Sequence, residues 1–343
     1  MKAVTYSATG GPDVLTLTER AVPEPGNGEV LVAIHRAGVN PTDTKSRTGS
    51  EPGTPVDPPQ VPGQDGAGVV EAVGQGVDAG LVGTRVWLWE VAWQRKEGTA
   101  AEHVVVPARH VVALPDEVSF DVGASLGIPF LTAHRTLTVS EHGPRRLGPG
   151  TLQGHTVLVT GGAGAVGNAV IQLARWSDAR IIATVSSAEK AQLAAAAGAD
   201  DVINYRQQDV VAETKKIVPH GVDVIVDVAV SSNVPVILDV LATGGTVAAY
   251  ADDAGRELTI PLRPLMMRNA RLQLVMVYTV APDAKHHAVE DLSRALRDGA
   301  IRVGAEAGLP LHHFPLEQAA EAHAALTGGA VGKVLLDVRS ANH

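Results

Sequence analysis

Thr156-Val-Leu-Val-Thr160 runs directly into Gly161-Gly-Ala-Gly-Ala-Val-Gly167, and Ala169-Val-Ile-Gln-Leu-Ala174 follows at once. The β-branched run predicts a buried strand, and the longer apolar run after the glycines predicts a helix. Gly162, Gly164 and Gly167 stand in G-x-G-x-x-G spacing. Alone that spacing is a weak signal, but between a strand and a helix it is the pattern of a Rossmann nucleotide-binding turn. The first glycine permits the tight turn, the second lets backbone approach a pyrophosphate, and the third lets helix pack on strand. The backbone from Gly162 through Ala163, Gly164, Ala165 and Val166 to Gly167, with the positive end of the helix dipole, then forms an anion site. A glycine turn that serves packing alone is the competing reading.

The same unit bears on which dinucleotide is bound. In an NAD site an Asp or Glu about 20 residues past the glycines accepts hydrogen bonds from the ribose hydroxyls. Here the second strand, Arg180-Ile-Ile-Ala-Thr-Val185, ends in Ser186-Ser187-Ala188-Glu189-Lys190, with no acid at the strand end. Ser186-x-x-Glu189 has capping-box spacing, which would turn Glu189 back onto its own helix end. Two hydroxyls and an ammonium are left. They suit the 2′-phosphate of NADPH, which a carboxylate would repel. Lys190 also fits the description of a solvated first-turn lysine.

A chain of 343 residues exceeds what one core usually supports, so two domains are expected. Its 28 basic and 37 acidic residues give a net charge of -9, which offers nucleic acid no Lys and Arg cluster to bind. The start, Met1-Lys-Ala-Val-Thr-Tyr-Ser, lacks the apolar core of a signal peptide, and the longest apolar region, around Val222 to Ala251, is broken by Asp227 and Asp239. A cytoplasmic protein without a membrane partner is therefore expected. Cysteine is absent, which removes disulfides, thiolate nucleophiles and cysteine-ligated zinc together.

Up to about Ser125 the chain is rich in Gly and Pro with short β-branched runs such as Glu29-Val-Leu-Val-Ala-Ile34 and Val104-Val-Val106, the pattern of a compact β domain or partial barrel without helices. From roughly Gly127 to Asp298 strands alternate with helices, which predicts a doubly wound parallel sheet of about six strands. A strand at Lys333-Val-Leu-Leu-Asp-Val338 suggests a return to the first domain. The expected division is thus residues 1–126 with 300–343, and 127–299.

At this point the chain resembles the zinc-independent quinone oxidoreductases of the medium-chain dehydrogenase/reductase superfamily, the group that includes zeta-crystallin. The resemblance covers nearly the full length. It is carried by Gly10-Gly-Pro-Asp-Val-Leu15, Ala37-Gly-Val-Asn-Pro-Thr-Asp43 with Arg47, Pro62-Gly-Gln-Asp-Gly-Ala-Gly68, Gly127-Ile-Pro-Phe-Leu-Thr-Ala133, the glycine turn, Gly198-Ala199 with Asn204-Tyr205, and Gly328 to Lys333. It implies a GroES-like β domain beside the Rossmann domain in an α/β protein, NADPH as cofactor, and a homodimer paired through the edge strand Arg271 to Val277. Asn40, Asp43 and Thr132 are implied to line the cleft near the nicotinamide. Thr132, the backbone of Gly244 and Gly245, and Lys333 are implied to help hold the cofactor, with Tyr205 beside the adenosine phosphate near Lys190. The superfamily's zinc enzymes carry Cys where Asn40 stands and His-Glu where Gln64-Asp65 stands, so no metal is expected. Close relatives carry Tyr where Lys45 and Ala100 stand, which leaves the proton donor unassigned. Asp43, and likewise Asn40, also fits a turn cap at Pro41-Thr42, and Arg47 fits a salt-bridge partner as well as a substrate contact.

Zinc in alcohol dehydrogenases polarises the substrate oxygen and stabilises the alkoxide. A quinone or activated alkene needs less help, because accepted charge spreads over a conjugated oxygen that ordinary hydrogen-bond donors can meet. The expected activity is hydride transfer from NADPH to a quinone or similar electron-poor conjugated acceptor. Beside it stand reduction of the double bond of an α,β-unsaturated carbonyl or enoyl thioester, and an NADPH-binding structural or RNA-associated protein without major turnover. The acidic balance weighs against the RNA version. Trp87, Trp89 and Trp93 fit either stacking on a quinone ring or core and dimer packing. His286-His287 and His312-His313 cannot face one metal pairwise along a strand or helix and are expected at the surface.

Overall fold

The computed structural model describes residues 1–251 and 257–339. It divides into two compact units, Met1–Ile128 with Leu311–His343, and Pro129–Pro310. Both junctions lie later in the chain than the sequence suggests.

In the second unit six parallel strands lie in the order Asp201–Asn204, Arg180–Val185, Thr156–Thr160, Val222–Asp227, Leu241–Ala249, Arg271–Leu274. The earliest strand sits in the middle and the chain spreads to either side, the doubly wound arrangement. Val157 to Val159, Ile181 to Ala183 and Val224 to Val226 are at most 1% exposed. With helices over both faces these strands have no polar side, which is why they read as unbroken apolar runs. Strand order reverses between Thr156–Thr160 and Val222–Asp227, so the carboxyl ends at Thr160 and Asp227 flank the switch point where ligands bind in such sheets. The edge strand is shorter than the expected Arg271 to Val277. It leaves the sheet after Leu274 and tightens into a 3₁₀ turn at Val277–Thr279 that buries Val277 and Tyr278.

The first unit is built on a seven-stranded sheet whose strand Glu29–Val39 pairs with Asp65–Val73 along one edge, and with His103–Pro107 and then Lys333–Asp337 along the other. A smaller sheet joins Thr16–Glu19, Lys2–Ala8 and Pro55–Gln60. The helix Pro41–Thr48 was not expected in this β-rich stretch. Its turn signal is a helix start, with Pro41 in the first turn, where its missing N–H costs nothing. Trp87 and Trp89 are 0% and 4% exposed, and Trp89 stacks on His110 at 4.4 Å between ring centroids. Their role is core packing. The helix Phe120–Leu137 is broken at Gly127 (φ -16°, ψ -107°). Among the described residues no helix is long and apolar enough to cross a membrane.

Candidate active site

At the switch point Gly161 turns the chain at φ +69°, a conformation that favours glycine. The N–H groups of Gly161 and Gly162 both donate to the Thr184 carbonyl, at 3.1 and 3.2 Å. A Cβ added at Gly162 would sit 2.9 Å from Ala183 Cβ, and one at Gly167 would run into the Gly161 carbonyl. These two positions are glycine because strand, turn and helix touch there. Gly164 differs, since the nearest protein atom to an added Cβ is the Gly161 carbonyl oxygen at 3.4 Å, an ordinary contact. It is the N-cap of the helix Ala165–Trp176 and supplies no side-chain cap. Its bare face and the first-turn N–H groups of Ala165, Val166 and Gly167 suit an anion.

Ser187 caps the helix Ala188–Ala197, its Oγ accepting the Lys190 N–H at 3.3 Å. The expected Ser186–Glu189 box does not form, because the helix starts one residue later, and Glu189 is exposed. Lys190 Nζ donates to Ser186 Oγ at 3.2 Å, and the Tyr205 N–H donates to the Val185 carbonyl at 3.0 Å. Ser186, Ser187, Lys190 and Tyr205 are thereby gathered at the end of one strand. Tyr205 also lines a cavity of about 520 Å³ with Thr160, Gly161, Thr184, Asp227 and Asn233. Asp227 was not among the expected site residues. It accepts the Ala229 N–H at 2.6 Å and the Asn233 amide at 3.1 Å, and burial pushes its carboxyl up. An acid closing an apolar strand at a switch point was the signal for it.

Gly244 and Gly245 do not join this group. They stand near the start of Leu241–Ala249, which runs parallel to Val222–Asp227. They therefore lie at the amino ends of the strands, roughly 15 Å of strand from the carboxyl edge at ~3.3 Å per residue. Gly244 instead makes a turn at φ +78°, its N–H donating to the Arg268 carbonyl at 2.7 Å. Thr132 belongs to this second unit and is 5% exposed.

In the first unit Asn40, Asp65 and Lys333 stand at the ends of three neighbouring strands. Lys333 Nζ donates to Asn40 Oδ1 at 2.7 Å and lies 3.4 Å from Asp65 Oδ2; Asn40 Nδ2 donates to that same Asp65 oxygen at 2.7 Å, and the Ile128 N–H to Asp65 Oδ1 at 2.9 Å. Burial pushes the Asp65 carboxyl up and the Lys333 ammonium down, and their mutual attraction opposes both. The Lys333 ammonium, expected at the cofactor, is engaged inside this cluster. Asp43 Oδ2 accepts the Asn40 N–H at 2.8 Å and lines a cavity of about 360 Å³, so it is both a helix cap and a pocket residue. Burial pushes its pKa up to about 7. Arg47 is buried with no carboxylate partner among the described residues, donating only to Thr48 Oγ1 at 3.4 Å. Lys45 is exposed, Ala100 is in the core, and Trp93 lines the same cavity as Asp43. A zinc ion would meet two carboxamides, Asn40 and Gln64, and a carboxylate already engaged by an ammonium. That donor set does not fit the metal.

Known proteins place this architecture. Residues 26–116 match the family model for the alcohol dehydrogenase GroES-like domain, and residues 165–295 the one for zinc-binding dehydrogenase. Human quinone oxidoreductase is 32% identical over 344 residues, covering 98% of this chain and 97% of its own. Mycobacterial Rv1454c, solved with NADPH, is 31% identical with a TM-score of 0.82, covering 98% of this chain and 100% of its own. Escherichia coli quinone oxidoreductase, also solved with NADPH, is 27% identical with a TM-score of 0.81 over 98% of this chain and 100% of its own. Fold and site thus define a medium-chain dehydrogenase/reductase. Within that superfamily the chain belongs to the quinone oxidoreductase family.

The contrast between two glycines is testable. Gly164→Ala should leave the melting temperature within a few degrees and weaken NADPH at least tenfold, whereas Gly167→Ala should destabilise the fold itself by about 1–3 kcal/mol, the cost of overpacking. Thermal melts with NADPH titrations separate the two, and equal melting losses would count against a nucleotide role for Gly164. Asp43 gives a second test. Its carboxyl, ordinarily near 3.8 and about 7 in the fold, makes the native state hold a proton more tightly than the unfolded chain. Its contribution is present below the unfolded value and is lost as pH rises through about 4 to 7. Urea titrations across that window should show a steeper fall for the native protein than for Asp43→Asn; parallel curves would refute the shift.

Proposed function

We propose that this protein is a zinc-independent reductase that passes hydride from NADPH to a quinone or a similar electron-poor conjugated acceptor. The observation that carries the reading is the buried cluster of Lys333, Asn40 and Asp65. With an ammonium on the Asp65 carboxylate and amides at Asn40 and Gln64, the site has no Lewis acid to stabilise an alkoxide, so oxidation of a simple alcohol lacks its electrophile. A conjugated acceptor spreads the charge and does not need one. NADPH supplies the hydride when bound. The Gly164 face and the helix N–H groups hold its pyrophosphate, Ser186, Ser187 and Lys190 its 2′-phosphate, and Tyr205 flanks the adenosine. In the first unit Asn40 and Asp43 serve the acceptor, with Lys333 acting from within by fixing the Asn40 amide, and in the second unit Thr132 serves the nicotinamide. The pairing partner is a second copy of the chain, met at the edge strand Arg271–Leu274, where Leu274 is 63% exposed; Met276, just past the strand, is 50% exposed, and Met266 and Met267, at the end of the preceding helix, are 67% and 73% exposed. An uncovered apolar edge of this kind invites strand pairing.

Purified protein should oxidise NADPH with a benzoquinone and fail to reduce NADP with simple alcohols. Lys190→Glu should cost NADPH about tenfold or more in affinity, the worth of a charge-assisted contact of about 1.5–3 kcal/mol, while leaving NADH unchanged. Robust alcohol oxidation, or equal native affinity for the two cofactors, would sink this reading; far better turnover of enones would move the acceptor class and spare the rest. Sedimentation should find a dimer that Leu274→Asp with Met276→Asp converts to monomer, and a native monomer at micromolar concentration would dispose of the pairing.

A further inference from the structure

The cavity that Asp43 lines has other polar walls. Tyr6 comes from the strand Lys2–Ala8, and Gln64 immediately precedes the strand Asp65–Val73. Each is 5% exposed and held by sheet backbone. Neither side chain is committed. The Tyr6 hydroxyl and the Gln64 carboxamide make no hydrogen bond among the described residues, and Gln64 Oε1 is fully enclosed without a partner. Among their neighbours in the wall, Asp43 accepts the Asn40 N–H, Gln60 Nε2 donates to the Val61 and Arg95 carbonyls, and Arg95 Nη2 donates to the Val105 carbonyl while its Nη1 is enclosed without a partner among the described residues. A polar group left unmet at such depth costs about 1–3 kcal/mol. Gln64 Oε1 is such a group, but it is an acceptor; the Tyr6 hydroxyl and the Gln64 Nε2, donors in the wall without a partner among the described residues, suit a ligand that accepts hydrogen bonds. Gln94, in the same wall, holds a left-handed φ of +56°, the kind of strain that gathers at ligand sites.

We propose that this cavity binds the electron acceptor and that the Tyr6 hydroxyl and the Gln64 amide N–H donate hydrogen bonds to its carbonyl oxygen. This rests on the reductase reading above. At about 360 Å³ the cavity lies at the small end of ligand sites, a size for a compact quinone or cyclic enone. When the acceptor takes a hydride from NADPH it gains two electrons and one hydrogen, NADP⁺ is left, and the negative charge falls on the carbonyl oxygen, which then takes a proton from water. Fixed donors at that oxygen gain strength as the charge grows and need no rearrangement. Burial and the nearby Asp43 hold the Tyr6 phenol above its usual pKa, so it stays protonated and able to donate. Trp93 adds a flat apolar wall for the ring.

Tyr6→Phe and Gln64→Met each delete a donor at nearly constant volume. In steady-state assays with a benzoquinone, each should lower kcat/KM at least tenfold, mostly through kcat, with the NADPH dissociation constant within twofold of the native value. If the native protein turns over a quinone and both variants keep more than half of its kcat/KM, the oxygen is held elsewhere and this inference falls while the reductase assignment stands. If one variant does not fold, the other decides. A native protein that reduces neither quinone nor enone removes the assignment itself, and this inference with it.

Discussion

A lysine ammonium taken out of water is tolerated only when a carboxylate and further hydrogen bonds replace the solvent, and the first unit is arranged around one such replacement. Lys333 and Asp65 are 1% and 0% exposed. Around them the backbone has no room to spare. A Cβ at Gly38 would meet the Ala124 carbonyl and lie 3.0 Å from Lys333 Nζ, and a Cβ at Gly127 would strike the Asp65 carboxylate. The break in the helix at Gly127 sits beside the Ile128 N–H that bonds Asp65. The ion pair thus determines where glycine is needed and fixes the Asn40 amide. Through the Asn40 N–H it also touches Asp43, and so the wall of the small cavity.

The second unit obeys a different constraint, the contact of one strand with one helix. Gly162 and Gly167 are held to glycine by protein atoms, while Gly164 is held by none. A motif that looks uniform in the chain therefore contains two kinds of position. Packing explains the first kind, and the open helix end explains the second.

This difference bears on what could be read in advance. The strand, glycine turn and helix at Thr156 to Trp176 were legible because every determinant is local. So were the gathered Ser186, Ser187, Lys190 and Tyr205, although two adjacent serines hid which one caps the helix. Gly244 and Gly245 misled because a glycine pair carries no sign of strand direction, and direction decides which edge of a parallel sheet it reaches. The helix after Asn40 was hidden by a proline that marks turns and helix starts alike. Lys333 was legible as a position worth singling out, but its partner stands 268 residues away and no local pattern joins them. Tyr6 lay in an ordinary apolar strand, and only the assembled sheet reveals that its hydroxyl lacks a partner.

The separation of Lys333 from Asp65 along the chain has a consequence for synthesis. The second unit is continuous in sequence, while the first is interrupted by it. A chain emerging from the ribosome can complete the nucleotide-binding sheet as soon as its own strands are out. The β domain, begun first, must wait with Asp65 unpaired and one edge of Glu29–Val39 partly open until Lys333–Asp337 arrives. The part made earliest is the last to close.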